Sequence, residues 1–228
     1  MKLIGHRGAC GLAPENTLAS VKKALEYAVD EIEIDVRLSS DGVVVLHHDP
    51  YIVTADRRDL SIRYTPYAEL LRRAPDLVAL DHVVRAVAHR ARLMIEIKPG
   101  VPVKPIATII ADRLQRGWRL SEFCVASSDL CVLRAAREAL PGVELVVIEK
   151  WSGVRATSRA RRLNTRRISI NQRWLWYGFV RTMHSRGFQL SPYTLNNPRR
   201  AARWQRYLYG VITDRPDRYH SRKKHSRS

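Results

Sequence analysis

Apolar positions along this chain follow two alternating spacings. Short runs, mostly of Val, Ile and Leu, stand at 3–4, 32–36, 43–46, 93–97, 123–126, 144–148, 168–170, 188–190 and 210–212, and read as strands. Longer segments between most of them repeat at helical spacing: 17–29, with Leu18, Val21, Leu25 and Val29 roughly on one face, then 105–116, 130–140, 152–163, 177–186 and 197–207. Strand–helix alternation predicts a parallel sheet covered by helices. Eight such units fit 228 residues, near the lower end for a (β/α)8 TIM barrel, which typically takes about 250. The run at 43–46 is then an extra strand. The turn Ser39-Ser40-Asp41-Gly42 joins it to the strand before, and its Asp-Gly step suits a hairpin. Residues 49–80 are less regular and rich in charge, which predicts a short insertion at the barrel mouth, after the second strand region. An open doubly wound sheet is the competing architecture. Its dinucleotide fingerprint is missing, because Gly5, Gly8 and Gly11 are interrupted by His6 and Arg7.

Composition narrows this picture. Hydrophobic residues make up 45% of the chain, enough for a real core, and the pattern predicts one domain over residues 1–218. Residues 219–228 are basic, serine-rich and nearly free of apolar side chains, which predicts a disordered tail. No apolar run approaches the roughly 20 residues of a membrane span. Met1-Lys2 leads straight into the first strand, and a cleaved leader would destroy the turn that follows it. Cys10, Cys124 and Cys131 form no metal-ligand spacing. Together these features predict a cytoplasmic protein with reduced thiols.

The chemistry collects where apolar runs end. In a parallel barrel those ends converge on one mouth, where active sites sit. Glu33 and Asp35 are two apart on a strand, so both point to the same face, into the barrel. Two inward carboxylates at close range repel each other unless something positive stands between them, and a hard divalent cation with oxygen ligands does this well. Glu96 lies near the end of another strand and is a candidate third ligand. Glu15, in Pro14-Glu15-Asn16, is a candidate fourth. Asn16 reads as the N-cap of the first helix, with Ala19 where a full capping box has Glu or Gln. His6 and His48 each end a strand, beside Arg7 and Asp49. Two imidazoles near neutral pH suit a phosphodiester, which needs one proton taken from the attacking oxygen and one given to the leaving alcohol. His47 must point the other way and reads as structural. Arg7 and Lys98 offer fixed positive charge for a phosphoryl oxygen.

These stretches, in this order, resemble the glycerophosphodiester phosphodiesterase family: His6-Arg7-Gly8, Pro14-Glu15-Asn16-Thr17, Glu33-Ile34-Asp35, Asp41-Gly42, His48-Asp49 and Glu96-Ile97-Lys98. The likeness continues through Ser127-Ser128-Asp129, Tyr193-Thr194-Leu195-Asn196 and Thr213-Asp214-Arg215-Pro216-Asp217, up to about Arg218. It implies a (β/α)8 barrel that hydrolyses glycerophosphodiesters to an alcohol and sn-glycerol 3-phosphate with a divalent metal, often Mg or Ca. By position it implies His6 and His48 as the acid/base pair and Glu33, Asp35 and Glu96 as metal ligands. It implies Arg7, Glu15 and Lys98 as groups that bind phosphate or order the site, with Tyr193 as an aromatic wall. Two departures stand out. Thr54-Ala55-Asp56-Arg57 replaces the family's Arg-Thr-Thr-like stretch, in a segment that helps shape the substrate pocket. Tyr193 stands where a Trp is usual.

The second half of the chain adds a separate feature. Net charge is +18, and residues 151–228 hold 19 Lys and Arg against two acids, Asp214 and Asp217, while residues 1–150 hold 21 bases and 20 acids. Such a surface seeks anions, either lipid headgroups or nucleic acid. Trp151 and Trp174-Leu175-Trp176-Tyr177 follow the fifth and sixth strands, on connections that open on the mouth. Rings at headgroup depth beside an arginine field predict contact with an anionic membrane surface and lysolipid or other membrane-borne phosphodiester substrates, rather than nucleic acid. The alternatives are an enzyme of the lysophospholipase D or sphingomyelinase D type and a non-catalytic polyanion-binding barrel.

Overall fold

Side-chain alternation decides which face of each strand meets the helices and which faces the barrel axis. The computed structural model describes residues 1–53 and 59–223. In it the chain runs β1 (Lys2–Gly5), α1 (Leu18–Glu26), β2 (Glu31–Leu38), β3 (Val44–Leu46), β4 (Tyr51–Val53), β5 (Asp59–Ser61), α2 (Tyr67–Arg73), α3 (Leu80–Val87), β6 (Arg92–Ile97), α4 (Lys104–Gln115), β7 (Phe123–Ser127) and α5 (Leu130–Ala139). It continues through β8 (Glu144–Glu149), α6 (Gly153–Arg162), β9 (Arg167–Asn171), α7 (Tyr177–Ser185), β10 (Gln189–Tyr193), α8 (Pro198–Ala202), β11 (Gly210–Thr213) and α9 (Asp217–Lys223).

Eight parallel strands follow the order β10-β9-β8-β7-β6-β2-β1-β11, with β3 paired antiparallel to β2. The last gap, between β10 and β11, is bridged by hydrogen bonds from Tyr209 N–H to the Leu190 carbonyl (2.9 Å) and from Leu195 N–H to the Ile212 carbonyl (2.8 Å). The result is the predicted (β/α)8 barrel. In β2, Ile32, Ile34 and Val36 face outward into the main core, against Val21 and Ala24 of α1 and Val83, Val84 and Val87 of α3. Glu31, Glu33 and Asp35 face the axis and are buried there. The same parity holds in β6, where Arg92, Met94 and Glu96 alternate with the outward Leu93, Ile95 and Ile97.

The insertion is more regular than the sequence pattern predicts. It holds the β4–β5 hairpin, the helix α2 and the helix α3, whose buried stripe is Leu80, Val83, Val84 and Val87. Three of these four are valines, poor helix formers that packing overrides here. Thr54-Ala55-Asp56-Arg57 lies outside the described residues. So do residues 224–228, whereas residues 219–223 of the segment read as a tail continue α9. Among the described residues, no helix is long and apolar enough to cross a membrane.

The axis of the barrel is layered. At the N-terminal ends of the strands, Arg167 is fully buried and reaches Glu31 (3.0 Å) and Glu144 (2.8 Å), with Arg92 on Glu144 (2.6 Å) and the Tyr209 hydroxyl donating to Glu31 (2.5 Å). Ile4, Met94, Cys124, Ala126, Val146 and Ile212 fill the middle. The third layer, at the C-terminal ends, is polar again.

Candidate active site

The third layer opens into a cavity of about 370 Å³ lined by His6, Arg7, Glu33, His48, Met94, Glu96, Lys98, Ile148, Lys150, Ser169, Tyr193, Thr194 and Ile212. Both histidines therefore face one space, at the mouth where the strand ends converge. The β2–β6 register sets Asp35 directly beside Glu96. One oxygen each from Glu33, Asp35 and Glu96 lie within 4.8 Å of one another. Lys98 Nζ stands 2.5 Å from both Asp35 and Glu96, and Arg7 Nε is 3.2 Å from Asp35. Burial and the neighbouring Asp35 charge push the Glu33 carboxyl up to about 8. Burial also raises Asp35, but Lys98 and Arg7 outweigh it and hold that carboxyl below its ordinary value. Glu96 is raised by burial, against Lys98.

The Glu33 Oε1 atom is buried with no hydrogen-bond partner among the described residues. A buried acceptor in that state costs free energy comparable to a lost hydrogen bond. Three acids clustered by two cations, with one oxygen left over, form an oxygen donor set that fits a hard dication. Glu15 stays outside that cluster: its carboxylate accepts from Arg7 NH1 at 2.7 Å and remains half-exposed.

The first loop owes its shape to two features. Gly8 has φ +84°, and a Cβ there would come within 2.4 Å of Ser20 Oγ, so only glycine lets the loop pack on the start of α1. That Ser20 hydroxyl donates to the Arg7 carbonyl (2.8 Å). Arg7 itself sits in the left-handed region at φ +49°, which costs a non-glycine residue on the order of 1 kcal/mol. This turn aims the Arg7 N–H at Glu33 Oε2 (2.8 Å). Asn16 is not the helix cap. It too is left-handed (φ +57°), and its side chain pairs with Asp35 on both sides, donating to Oδ2 (2.9 Å) and accepting from the backbone N–H (3.0 Å). Thr17 caps α1, with Ser20 completing the box.

Each histidine is held through Nδ1 by a carboxylate. His6 Nδ1–H donates to Asp214 Oδ1 (2.6 Å), and His48 Nδ1–H to Asp49 Oδ1 (2.8 Å), so each carboxylate contact is made at Nδ1 rather than Nε2. Burial works against a charged His6, but Asp214 and the nearby Glu33 carry it above the ordinary 6.5. Burial and then the Lys98 and Arg7 charges take His48 below 6.5. Asp214 also accepts from Cys10 Sγ–H (2.9 Å) and Asn196 Nδ2 (2.8 Å), and three donors together hold it well below the usual carboxylate range in spite of its burial. His47 turns away and bonds the Asp49 carbonyl (2.8 Å). Tyr193 is a wall of the cavity, its hydroxyl pushed up to about 12 by burial and by Glu96 and Glu149.

The sequence pattern points to no role for Asp214, Asn196, Arg37 or Lys150. Asp214 follows from topology: β1 and β11 pair with Gly5 opposite Thr213, so the next residues, His6 and Asp214, emerge side by side. Arg37 donates from Nε (3.0 Å) and NH2 (2.6 Å) to the His48 carbonyl. Lys150 has no neighbouring motif and becomes visible only as a cavity wall.

Comparison with known proteins finds relatives along nearly the whole chain. The chain is 26% identical over 238 residues to YhdW of Bacillus subtilis, covering 95% of this chain and 96% of that protein. It is 24% identical over 254 residues to the glycerophosphodiester phosphodiesterase of the same organism, covering 97% and 86%. An Oleispira antarctica phosphodiesterase, solved with the product sn-glycerol-3-phosphate, superposes with a TM-score of 0.83 at 24% identity, over 100% of this chain and 97% of that one. The Thermotoga maritima glycerophosphodiester phosphodiesterase gives 0.79 at 24% identity, over 96% and 97%. The profile of the glycerophosphoryl diester phosphodiesterase family matches residues 6–218, and the chain belongs to that family.

Proposed function

We propose that this enzyme hydrolyses glycerophosphodiesters to an alcohol and sn-glycerol 3-phosphate, with His48 as general base, His6 as general acid and a divalent ion, Mg or Ca, at Glu33, Asp35 and Glu96. The observation that carries the reading is a cavity lined by two carboxylate-held imidazoles and by Glu33 and Glu96, which cluster with the buried Asp35. The sn-glycerol-3-phosphate bound by the Oleispira antarctica relative supports the same product here.

The two rings divide the work by their surroundings. His48, held neutral beside Lys98 and Arg7, takes a proton from the attacking water at Nε2. His6, kept protonated by Asp214, gives its Nε2 proton to the oxygen of the departing alcohol. Arg7 and Lys98 supply fixed charge for the phosphoryl oxygens. A dication held by Glu33, Asp35 and Glu96 would supply Lewis-acid charge, with the unpartnered Glu33 oxygen among its donor atoms. Tyr193 and Thr194 form part of the cavity wall.

The test is a panel of glycerophosphodiesters and lysophospholipids assayed with Mg, Ca and no metal, with products identified. Free sn-glycerol 3-phosphate formed only with a dication is expected. A cyclic phosphate would identify an internal hydroxyl as the nucleophile, and metal-independent turnover would remove the dication from the proposal.

A further inference from the structure

Large hydrophobic side chains on the surface of this protein are not scattered. Among the described residues, every one that is exposed, apart from Met1, sits on a connection leaving the C-terminal end of a barrel strand or in the first turn of the helix it leads into. Tyr51, Val53 and Tyr64 belong to the insertion after β2. Trp151 (66% exposed) and Trp176 (55%) belong to the β8–α6 and β9–α7 connections, and Val154 (81%) and Tyr177 (56%) to the first turns of the helices these lead into. The catalytic face is thus the apolar face. Soluble monomers rarely leave such residues gathered unless the patch meets something.

Charge selects what it meets. Between Trp151 and Thr213 the chain has no Asp or Glu. The last acid before that stretch, Glu149, is buried under Arg155 and Arg159 and holds the Trp151 N–H (3.0 Å), so it fixes the loop and adds no negative charge to the rim. Exposed Lys150 and Arg173 stand among Trp151, Trp174 and Trp176 around an open cleft, with Lys150 Nζ 4.8 Å from the Trp151 ring centre. Lys150 also lines the catalytic cavity, so cleft and cavity share a wall. A folded partner seated on these rings would cover the substrate's way in. A lipid surface would not, because the substrate would arrive from the covering phase.

We propose that the β8–α6 and β9–α7 connections dock on an anionic bilayer, rings at headgroup depth and cations on the phosphates, and that the enzyme draws a lysophospholipid's phosphodiester from that surface into its cavity. The docking stands on the surface alone; the substrate class rests on the proposed hydrolysis. The full chain is expected to sediment at low salt with phosphatidylcholine vesicles that contain phosphatidylglycerol, and far less with phosphatidylcholine alone. R173E should weaken partitioning by about thirtyfold, from one cation removed and one anion added. W151S/Y177S should weaken it by about tenfold or more, the factor expected for one buried ring. That double variant should lose hydrolysis of vesicle-borne lysophosphatidylcholine in proportion, yet keep wild-type turnover of soluble glycerophosphocholine and the wild-type melting temperature. Absence of sedimentation, equal sedimentation by the variants, or ring-independent retention on single-stranded RNA in place of vesicles would overturn the docking surface. Ring-dependent sedimentation without hydrolysis of any phosphodiester would leave docking standing and sink the enzymatic reading alone.

Discussion

Buried charge occupies both ends of this barrel, and the two ends settle it differently. At the N-terminal end Glu31 and Glu144 meet Arg92 and Arg167, two acids against two guanidinium groups, with Tyr209 donating as well. At the C-terminal end Glu33, Asp35 and Glu96 face Lys98 and an Arg7 already shared with Glu15. The polar atoms left over also differ. Below they are the Nε donors of Arg92 and Arg167; above they include a carboxylate oxygen, Oε1 of Glu33, beside Arg7 Nε and the Ser169 hydroxyl. Glu31 and Glu33 are neighbours on one face of one strand, so burial alone does not distinguish them. What distinguishes them is whether the surroundings finish the neutralisation. The lower layer is complete as it stands, and the upper layer is short of positive charge by design of its donor set.

The sharpest break between the layers comes from the upper acids and imidazoles. His6→Ala and His48→Ala should each lower turnover by about 10²–10⁴-fold, the usual contribution of a positioned acid or base, without loss of fold. Glu33→Gln should also remove most activity and metal dependence while raising stability in chelator. The sign follows from the raised carboxyl. A Glu that titrates at about 8 in the fold against about 4.5 unfolded destabilises the metal-free protein progressively as pH rises through that interval. Chemical denaturation in chelator across that range should show the decline in wild type, a shallower decline in Glu33→Gln, where the raised Glu96 and His6 remain, and its reversal in wild type by added Mg or Ca. A flat wild-type profile would contradict the account of the upper layer.

Arg167→Ala inverts this pattern. It leaves the buried Glu31 without its closest cation and the partly exposed Glu144 with Arg92 alone, and breaking a buried pair costs about 3–5 kcal/mol. Denaturation at neutral pH reads the loss directly. Folded molecules should keep wild-type kcat, because the apolar middle layer separates the two charged ones. A variant as stable as wild type would mean that the lower network contributes specificity of fold rather than stability.

Asp214→Asn probes the His6 pair with a smaller effect, a fall in kcat of about a hundredfold. The direction of the pH shift is the more telling result. The proposed roles require His48 neutral and His6 protonated, so the rate should rise through the lowered His48 titration and fall through the raised His6 titration. Loss of the Asp214 hydrogen bond should bring the alkaline limb down in pH and leave the acidic limb in place. A shift of the acidic limb instead would exchange the two roles.

The parts of this molecule that were legible in its sequence are those set by local periodicity. Glu33 and Asp35 two apart on a strand had to share a face, and polar residues at the ends of apolar runs had to gather at one mouth. What escaped was set by register and by packing at long range. Reading the second strand as 32–36 left Glu31 outside it, and nothing near Glu31 in sequence announces Arg167. Asp214 is beside His6 only because the last strand closes on the first. The stripe of α3 is helical in spacing but valine-rich in composition, so its propensity argued against its pattern. Asn16 looked like a cap because Asn favours caps, yet the same tolerance of left-handed backbone lets it turn and bind Asp35.

The smallest expected effect belongs to Arg37, which touches neither substrate nor acid cluster. It extends the inward face of β2 two residues past Asp35 and clamps the loop carrying His48 through that residue's carbonyl. Losing both donors should let the ring drift, and small misplacements of a catalytic group are felt steeply. Arg37→Ala should lower kcat by about tenfold with KM nearly unchanged, since the proposed phosphate-binding groups Arg7 and Lys98 are untouched. Arg37→Lys, with one donor able to reach, should recover part of the loss. The acidic limb should broaden or move with Arg37→Ala while the alkaline limb, set by His6 and Asp214, stays put. An unchanged kcat would show that β3, paired to β2 from Val44 to Leu46, already fixes His48 without the clamp.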